Sequence, residues 1–349
     1  MKKATLILTS LLLAVVVTAR AEQKAQLFVA FPDYCNTPDG LALLKDGSII
    51  VSMPNFNDET KPPLLMRVAK DGKVEKFYEF PNPYPGLPAG LDRIRPMGDA
   101  PAPNGDLYLA DMQYMKDPNG KSRLWKLVVK RGKVQKMVLV ADGLNVANGT
   151  AIHGGYCYIT ESVLEEGSHP LTSAVLRFKL DEENVHLKTP LKDDPHVITT
   201  FQSKKDQWRF GADGIEFDSK GNLFVGLFGE GQMFKITFDK KGNVVSNKLF
   251  AEAPGKLTNC DGMHRDSHDN LYVADSANNA VQIIHPDGTI ETLAINDDTL
   301  DKTTGGLDQP CEALVRGDEV IVSNMDWPFP GFKNTKFQLP ATLSIIKLK

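Results

Sequence analysis

Helical periodicity is nearly absent from this sequence, which leaves strands as its main element. Cysteine is scarce. The four present, Cys35, Cys157, Cys260 and Cys311, have no metal-type spacing, and spacing alone does not say how they pair. There is no basic stripe: 40 Lys and Arg stand against 44 Asp and Glu, a net charge of −4, which argues against nucleic acid as the main partner. Beyond the first two dozen residues no segment is apolar enough to cross a bilayer. What remains is an ordinary globular composition, 42% hydrophobic and 24% charged over 349 residues, enough for one large domain or two medium ones.

The N-terminus reads differently. "MKK" is a basic start, "ATLILTSLLLAVVVTA" is apolar, and "ARA" ends with small residues at the two positions a signal peptidase inspects. Residues 1–21 are expected to be a secretory signal cut after Ala21, with a retained anchor as the alternative. The mature chain, 22–349, is expected to be one domain, secreted or periplasmic, with no stable membrane insertion after cleavage. Export permits disulfides. Cys35 and Cys260 each lie just upstream of an Asp-Gly pair and Cys311 lies in a related segment, so two of them could meet in space.

One segment recurs along the chain. It reads "PDGLALLKDGSIIVS" from Pro38, "PMGDAPAPNGDLYLAD" from Pro96, "ANGTAIHGGYCYITES" from Ala147, "ADGIEFDSKGNLFVG" from Ala212, "CDGMHRDSHDNLYVAD" from Cys260 and "PCEALVRGDEVIVSN" from Pro310. Each copy is a short run, a turn rich in Gly, Asp or Asn, and an alternating strand, which is the pattern of a β-hairpin. A second hairpin follows most copies, for example "LLMRVAKDGKVEKFYEF" and "AVLRFKLDEENVHL". Two hairpins make a four-stranded blade, and six copies predict an all-β, six-bladed β-propeller. The sixth copy is followed only by "ATLSIIKLK", and its missing partner is "AQLFVAF" near the mature N-terminus. Pairing of the N- and C-terminal strands is therefore expected to close the ring and remove two open edges. A pair of β-sandwiches would not repeat one segment at this spacing, and the Gly-His and Trp-Asp signatures of a WD propeller are missing.

In a propeller the first strand of each blade lines the central channel. Alignment of the copies places Asp39, Met97, Asn148, Asp213, Asp261 and the Cys311-Glu312 pair at one level. Asp39, Asn148, Asp213 and Asp261 carry hard oxygen donors, and each is followed by Gly. Asp-Gly pairs often only make surface turns; here they precede the strand rather than join two strands. Converging carboxylates repel unless a cation neutralises them. Ca²⁺ suits these oxygen donors best; Zn²⁺, Mn²⁺ and Mg²⁺ are the alternatives, Zn²⁺ being disfavoured because no His or Cys cluster shares the ring.

Weaker candidates are His264 as a proton shuttle and Arg93 and Arg95 as holders of an anionic substrate group. Glu312 could complete the ring, and Trp327 could form a pocket wall. Asn148-Gly149-Thr150 also fits an N-glycosylation pattern, which requires a surface loop.

The Asp/Asn-Gly repeats, the strand cores "NLYVAD" and "NLFVG" and the end-to-end closure resemble the senescence marker protein, gluconolactonase and luciferin-regenerating enzyme family, to which regucalcin and diisopropylfluorophosphatase are related. The resemblance implies a channel cation held by Asp39, Asn148, Asp213 and Asp261. It departs from the family pattern in three places. Asp39 stands where Glu is usual, Asp213 stands where Asn is usual, and Val146 stands where an arginine behind the metal ligands is usual, so a preference for sugar acids does not carry over. The implied activity is metal-dependent hydrolysis of a small lactone or ester, with Asp261 or Asp213 as general base or nucleophile; Arg95, His264 and Glu312, read from the residues alone, are the weaker substrate-binding candidates. The alternatives are a non-catalytic propeller, similar to NHL repeats, that binds a sugar, peptide or protein, and a strictosidine-synthase-like condensing enzyme.

Overall fold

The computed structural model describes residues 22–298 and 301–348, so the expected signal segment, 1–21, lies outside the described residues. Six sheets follow one another along the chain, five of four strands and one of five. Their innermost strands are Leu41–Leu43, Pro96–Pro101, Ala147–His153, Ala212–Phe217, Met263–Arg265 and Pro310–Arg316. Each comes from one copy of the repeat and pairs antiparallel with the strand after it. This is the six-bladed β-propeller. Among the described residues there is no α-helix, only three single-turn 3₁₀ segments, and no helix long and apolar enough to cross a membrane.

Closure occurs as the end strands predict. Gln26–Ala30 pairs antiparallel with Thr342–Lys347, with Gln26 opposite Ile345 and Ala30 opposite Thr342, and supplies the outer strand of the last blade. The sixth blade is thus built from both ends of the chain, and its pairing holds the ring shut.

The core is divided among the blade interfaces. Side chains alternate along each strand, and both faces of a blade meet a neighbouring blade, so the second strands are apolar almost throughout. In Ile49–Met53 every residue is buried. Ile49, Val51 and Met53 join Leu314, Ile321 and Leu343 of the last blade, while Ile50 joins Leu107 and Leu109 of the second blade. Similar clusters fill the other four interfaces.

The third blade differs from its sequence reading. "AVLRFKLDEENVHL" does not close as a hairpin: Leu171–Lys179 pairs instead with Val197–Ser203. Val185–His186 crosses to the second blade and adds a short parallel strand to its edge. Asn184 directs this crossing, with φ at 56° and its N–H donated to Leu139 O over 2.9 Å. The four cysteines are buried and free, so none of them pairs.

Candidate functional site in the central channel

The channel wall is set by backbone. At Gly214 an added Cβ would lie 2.2 Å from Asp261 O, and at Gly149 it would lie 2.4 Å from Asp213 O. Gly40, Gly98 and Gly262 meet the next blade's backbone in the same way. Only glycine permits this approach, and this is why each pair has Gly second. Hydroxyls of the neighbouring strands bind carbonyls of the same ring segments. Ser52 Oγ donates to Met97 O over 2.6 Å, Thr160 Oγ1 to Asp213 O over 2.8 Å and Ser162 Oγ to Ala212 O over 2.7 Å.

The segments that lead into the ring are held by fully buried acids of the second strands. Asp111 Oδ1 accepts from Arg95 N at 2.8 Å. Glu161 accepts from Asn145 N and Val146 N, each at 2.7 Å. Asp275 accepts from Thr258 N at 3.1 Å and Asn259 N at 3.2 Å. In the last blade the amide of Asn324 does the same for Asp308 N, at 3.0 Å. The recurring "YLAD", "YITE" and "YVAD" endings are therefore grips on the backbone just before Met97, Asn148 and Asp261.

Asp39, Asn148, Asp213 and Asp261 form the waist of the channel, because all four line the cavities on both sides of it. Asn148 Nδ2 donates to Asp213 Oδ2 at 2.8 Å, which commits the donor end of the amide and leaves Oδ1 as a ligand atom. Ser276 Oγ donates to Asp261 Oδ2 at 2.6 Å, and Gly262 N to Asp261 Oδ1 at 3.0 Å.

On one side lies an acidic cavity of about 230 Å³ that adds Asp99, Glu216, His264 and Glu312 to the waist residues and has no Lys or Arg in its wall. On the other lies a compartment of about 140 Å³ walled by methionines, Trp208, Phe210, Phe228, Trp327 and Phe329.

The acids burden one another. Burial, then the charges of Asp261 and Asp99, holds Asp39 well above the usual carboxylate range. Burial followed by Asp261 and Asp39 does the same to Asp213, and burial with four neighbouring carboxylates does it to Glu312. Asp99 is raised by burial. Burial lifts Asp261 to about 7 against the pull of Ser276 and Gly262, and lifts Glu216 to about 7. His264 sits between Glu216, at 3.6 Å, and Glu312, at 3.5 Å. Burial pushes it down to about 4, so it is a neutral imidazole near neutral pH.

A hard cation fits these donors in type. Asp39 Oδ2, both oxygens of Asp99 and Glu312 Oε1 are buried without a hydrogen-bond partner, and no cationic side chain lines the cavity to neutralise them. Among the described residues no three His, Cys, Asp or Glu side chains already converge as the ligand set of one ion. The donors surround the waist without being drawn together.

The structure brings Glu312 and His264 to this channel and Trp327 to the wall of the aromatic compartment. It does not bring Arg93 or Arg95 there. Arg93 donates to Pro54 O at 3.0 Å and Lys61 O at 2.9 Å. Arg95 is bound to Glu59 Oε1 at 3.0 Å and Gln113 Oε1 at 2.8 Å, and it edges a separate hollow beside Phe56 and Trp327. Asn148 lies in the channel wall rather than on a surface loop.

Sequence reasoning missed Asp99 and Glu216. Asp99 lies two residues past Met97, the weakest ring position, and register alignment hid it. A bulge shifts pairing between Pro96 and Asp99, and similar irregularities occur between Ala147 and Thr150 and between Ala212 and Ile215. The only available signal was a charged residue within an otherwise apolar inner strand.

No family model and no curated protein matches this chain. Among solved structures, a gluconolactonase from Xanthomonas campestris is similar at 13% identity and TM-score 0.57, covering 96% of this chain and 93% of its own. Regucalcin from Agrobacterium tumefaciens, a calcium-binding protein, is similar at 12% identity and TM-score 0.58, covering 94% and 96%. A PQQ-bound aldose sugar dehydrogenase from Streptomyces coelicolor is similar at 15% identity and TM-score 0.58, covering 95% and 99%. At such identities the likeness shows fold, and the dehydrogenase shows that one fold serves different chemistries. The chain therefore has the six-bladed propeller fold of gluconolactonase and regucalcin, with an acid-lined channel at its centre.

Proposed function

We propose that this protein hydrolyses small lactones or esters with a divalent cation, Ca²⁺ first among the candidates, held by Asp39, Asn148, Asp213 and Asp261. The observation that carries the reading is the meeting of Asp39, Asp99, Asp213, Asp261 and Glu312 in one channel whose wall has no Lys or Arg. Two similarly folded proteins, a gluconolactonase and a calcium-binding regucalcin, support it. When bound, the cation would supply Lewis-acid polarisation of the ester carbonyl and stabilise the developing oxyanion.

The chain's own residues do the rest. Asn148 and Ser276 orient Asp213 and Asp261 through the bonds described above. Asp261 takes a proton from water as the water oxygen bonds to the acyl carbon. The acyl carbon–oxygen bond then breaks, and the proton passes to the leaving oxygen. Asp213 is the alternative in this role, as base or as nucleophile. Residues 1–21 would direct the protein to the periplasm or the exterior.

The test is metal analysis of the purified chain, paired with turnover of lactones and aryl esters before and after chelation. The expected result is a bound divalent cation, activity lost to chelator and activity restored by Ca²⁺. Chelator-insensitive turnover would overturn the role of the cation. A bound cation without turnover would make the protein a non-catalytic binding propeller.

A further inference from the structure

We infer that the compartment on the aromatic side of the waist receives a flat aromatic group, so that the substrates are aryl-bearing lactones or esters and not polyhydroxylated sugar lactones. This rests on the hydrolase reading above and adds the substrate class to it. Its wall has no Lys, Arg, His or Glu, and its carboxylates are those of the waist, Asp39, Asp213 and Asp261. Two polar atoms of the wall are already committed. Trp208 Nε1–H donates to Pro330 O at 2.9 Å, and Gln309 Oε1 accepts from Trp327 N. Beyond the waist a polyol entering here would meet mostly aromatic and thioether surface and leave most of its hydroxyls unpaired, and unpaired polar groups are what a site discriminates against most strongly.

The wall is also pre-formed. Trp327 stacks on Phe56 with centroids 4.8 Å apart and meets Phe329 edge-on at 5.0 Å. Trp208 packs edge-on against Phe332 at 4.8 Å. Trp208 is held at φ 50°, a conformation rare for a bulky residue. Its bond to Pro330 ties the segment around Trp208 to the one that carries Trp327 and Phe329. A volume of about 140 Å³ is close to the roughly 150 Å³ of an apolar cavity that holds benzene. The aromatic group would occupy this volume with its ester carbonyl at the waist. Hydrolysis adds the water oxygen to the acyl carbon and breaks the ring or ester oxygen bond.

The experiment compares kcat/KM of the full-length, Ca²⁺-loaded protein for dihydrocoumarin, a benzo-fused lactone, and for glucono-δ-lactone. The expected preference is about tenfold or more for dihydrocoumarin, and Trp327→Ala should raise KM for it about tenfold while changing kcat little. A preference for glucono-δ-lactone would overturn the inference and leave the hydrolase reading standing. If neither lactone nor an aryl ester is turned over, the hydrolase reading falls and the compartment is tested alone by tryptophan fluorescence. The wild-type protein is titrated with the unreactive lactam analogue of dihydrocoumarin, since two of the three tryptophans, Trp208 and Trp327, line the wall. Saturable quenching supports an aromatic site, and its absence overturns it.

Discussion

Asp261 combines the features asked of a group that moves protons: it is at the waist, buried among other acids, and held by one hydroxyl and one backbone N–H. Asp261→Asn keeps the shape and an acceptor for Ser276 but cannot take a proton. We expect kcat on lactones to fall by about 100-fold or more, with the thermal midpoint unchanged or raised because a buried like charge has been removed. Undiminished kcat would take Asp261 out of the chemistry and leave Asp213 as the base. Asp261, Asp213, Asn148 and Asp39 could be found at this scale because each is followed by Gly in a repeated context. Asp99 could not, because its neighbours in the other blades, Thr150 and Ile215, are not acids.

The inner strands form a channel only because their first turns are bare of side chains. Gly214→Ala would drive a Cβ into the Asp261 carbonyl, contact with backbone that no rotamer change relieves. We expect a loss of about 1–3 kcal/mol, measured by urea unfolding, together with weakened cation binding as Asp261 is displaced. Wild-type stability in this variant would mean that adjacent blades do not touch there. The hairpins were readable element by element, since alternation and turn residues coincide in most copies. The third blade was the exception. Its "DEEN" turn looks like a hairpin tip, but the pull of the second blade's open edge on Val185–His186 is a contact between elements and leaves no periodic mark.

Closure of the ring brings together acids that would otherwise be solvated, and this sets the pH behaviour of the whole molecule. Asp261 is raised from 3.8 to about 7 and Glu216 from 4.5 to about 7, and Asp39, Asp213 and Glu312 move the same way. A carboxyl with a folded value above its unfolded one binds its proton more tightly when folded. The stability it contributes is complete below the unfolded value and is lost as pH rises through the folded one. The cation-free protein should therefore lose stability from about pH 4 to about pH 8, and Ca²⁺ should raise the thermal midpoint more at about pH 8 than at about pH 5. Calorimetry with and without chelator measures both. Greatest cation-free stability at the alkaline end would contradict the picture of converging acids.

By itself the sequence determined the number of blades, the strand that closes the ring and four of the residues at its waist. All of these follow from a repeat, and a repeat on a closed ring makes sequence position a proxy for position in space. Only the tertiary structure decided what surrounds that waist. Asp99 and Glu216 enter the channel through bulged registers, and Trp208, Phe210, Trp327 and Phe329 come from two unrepeated loops. Loops outside the repeat obey no period, so their meeting over the channel is fixed by packing alone.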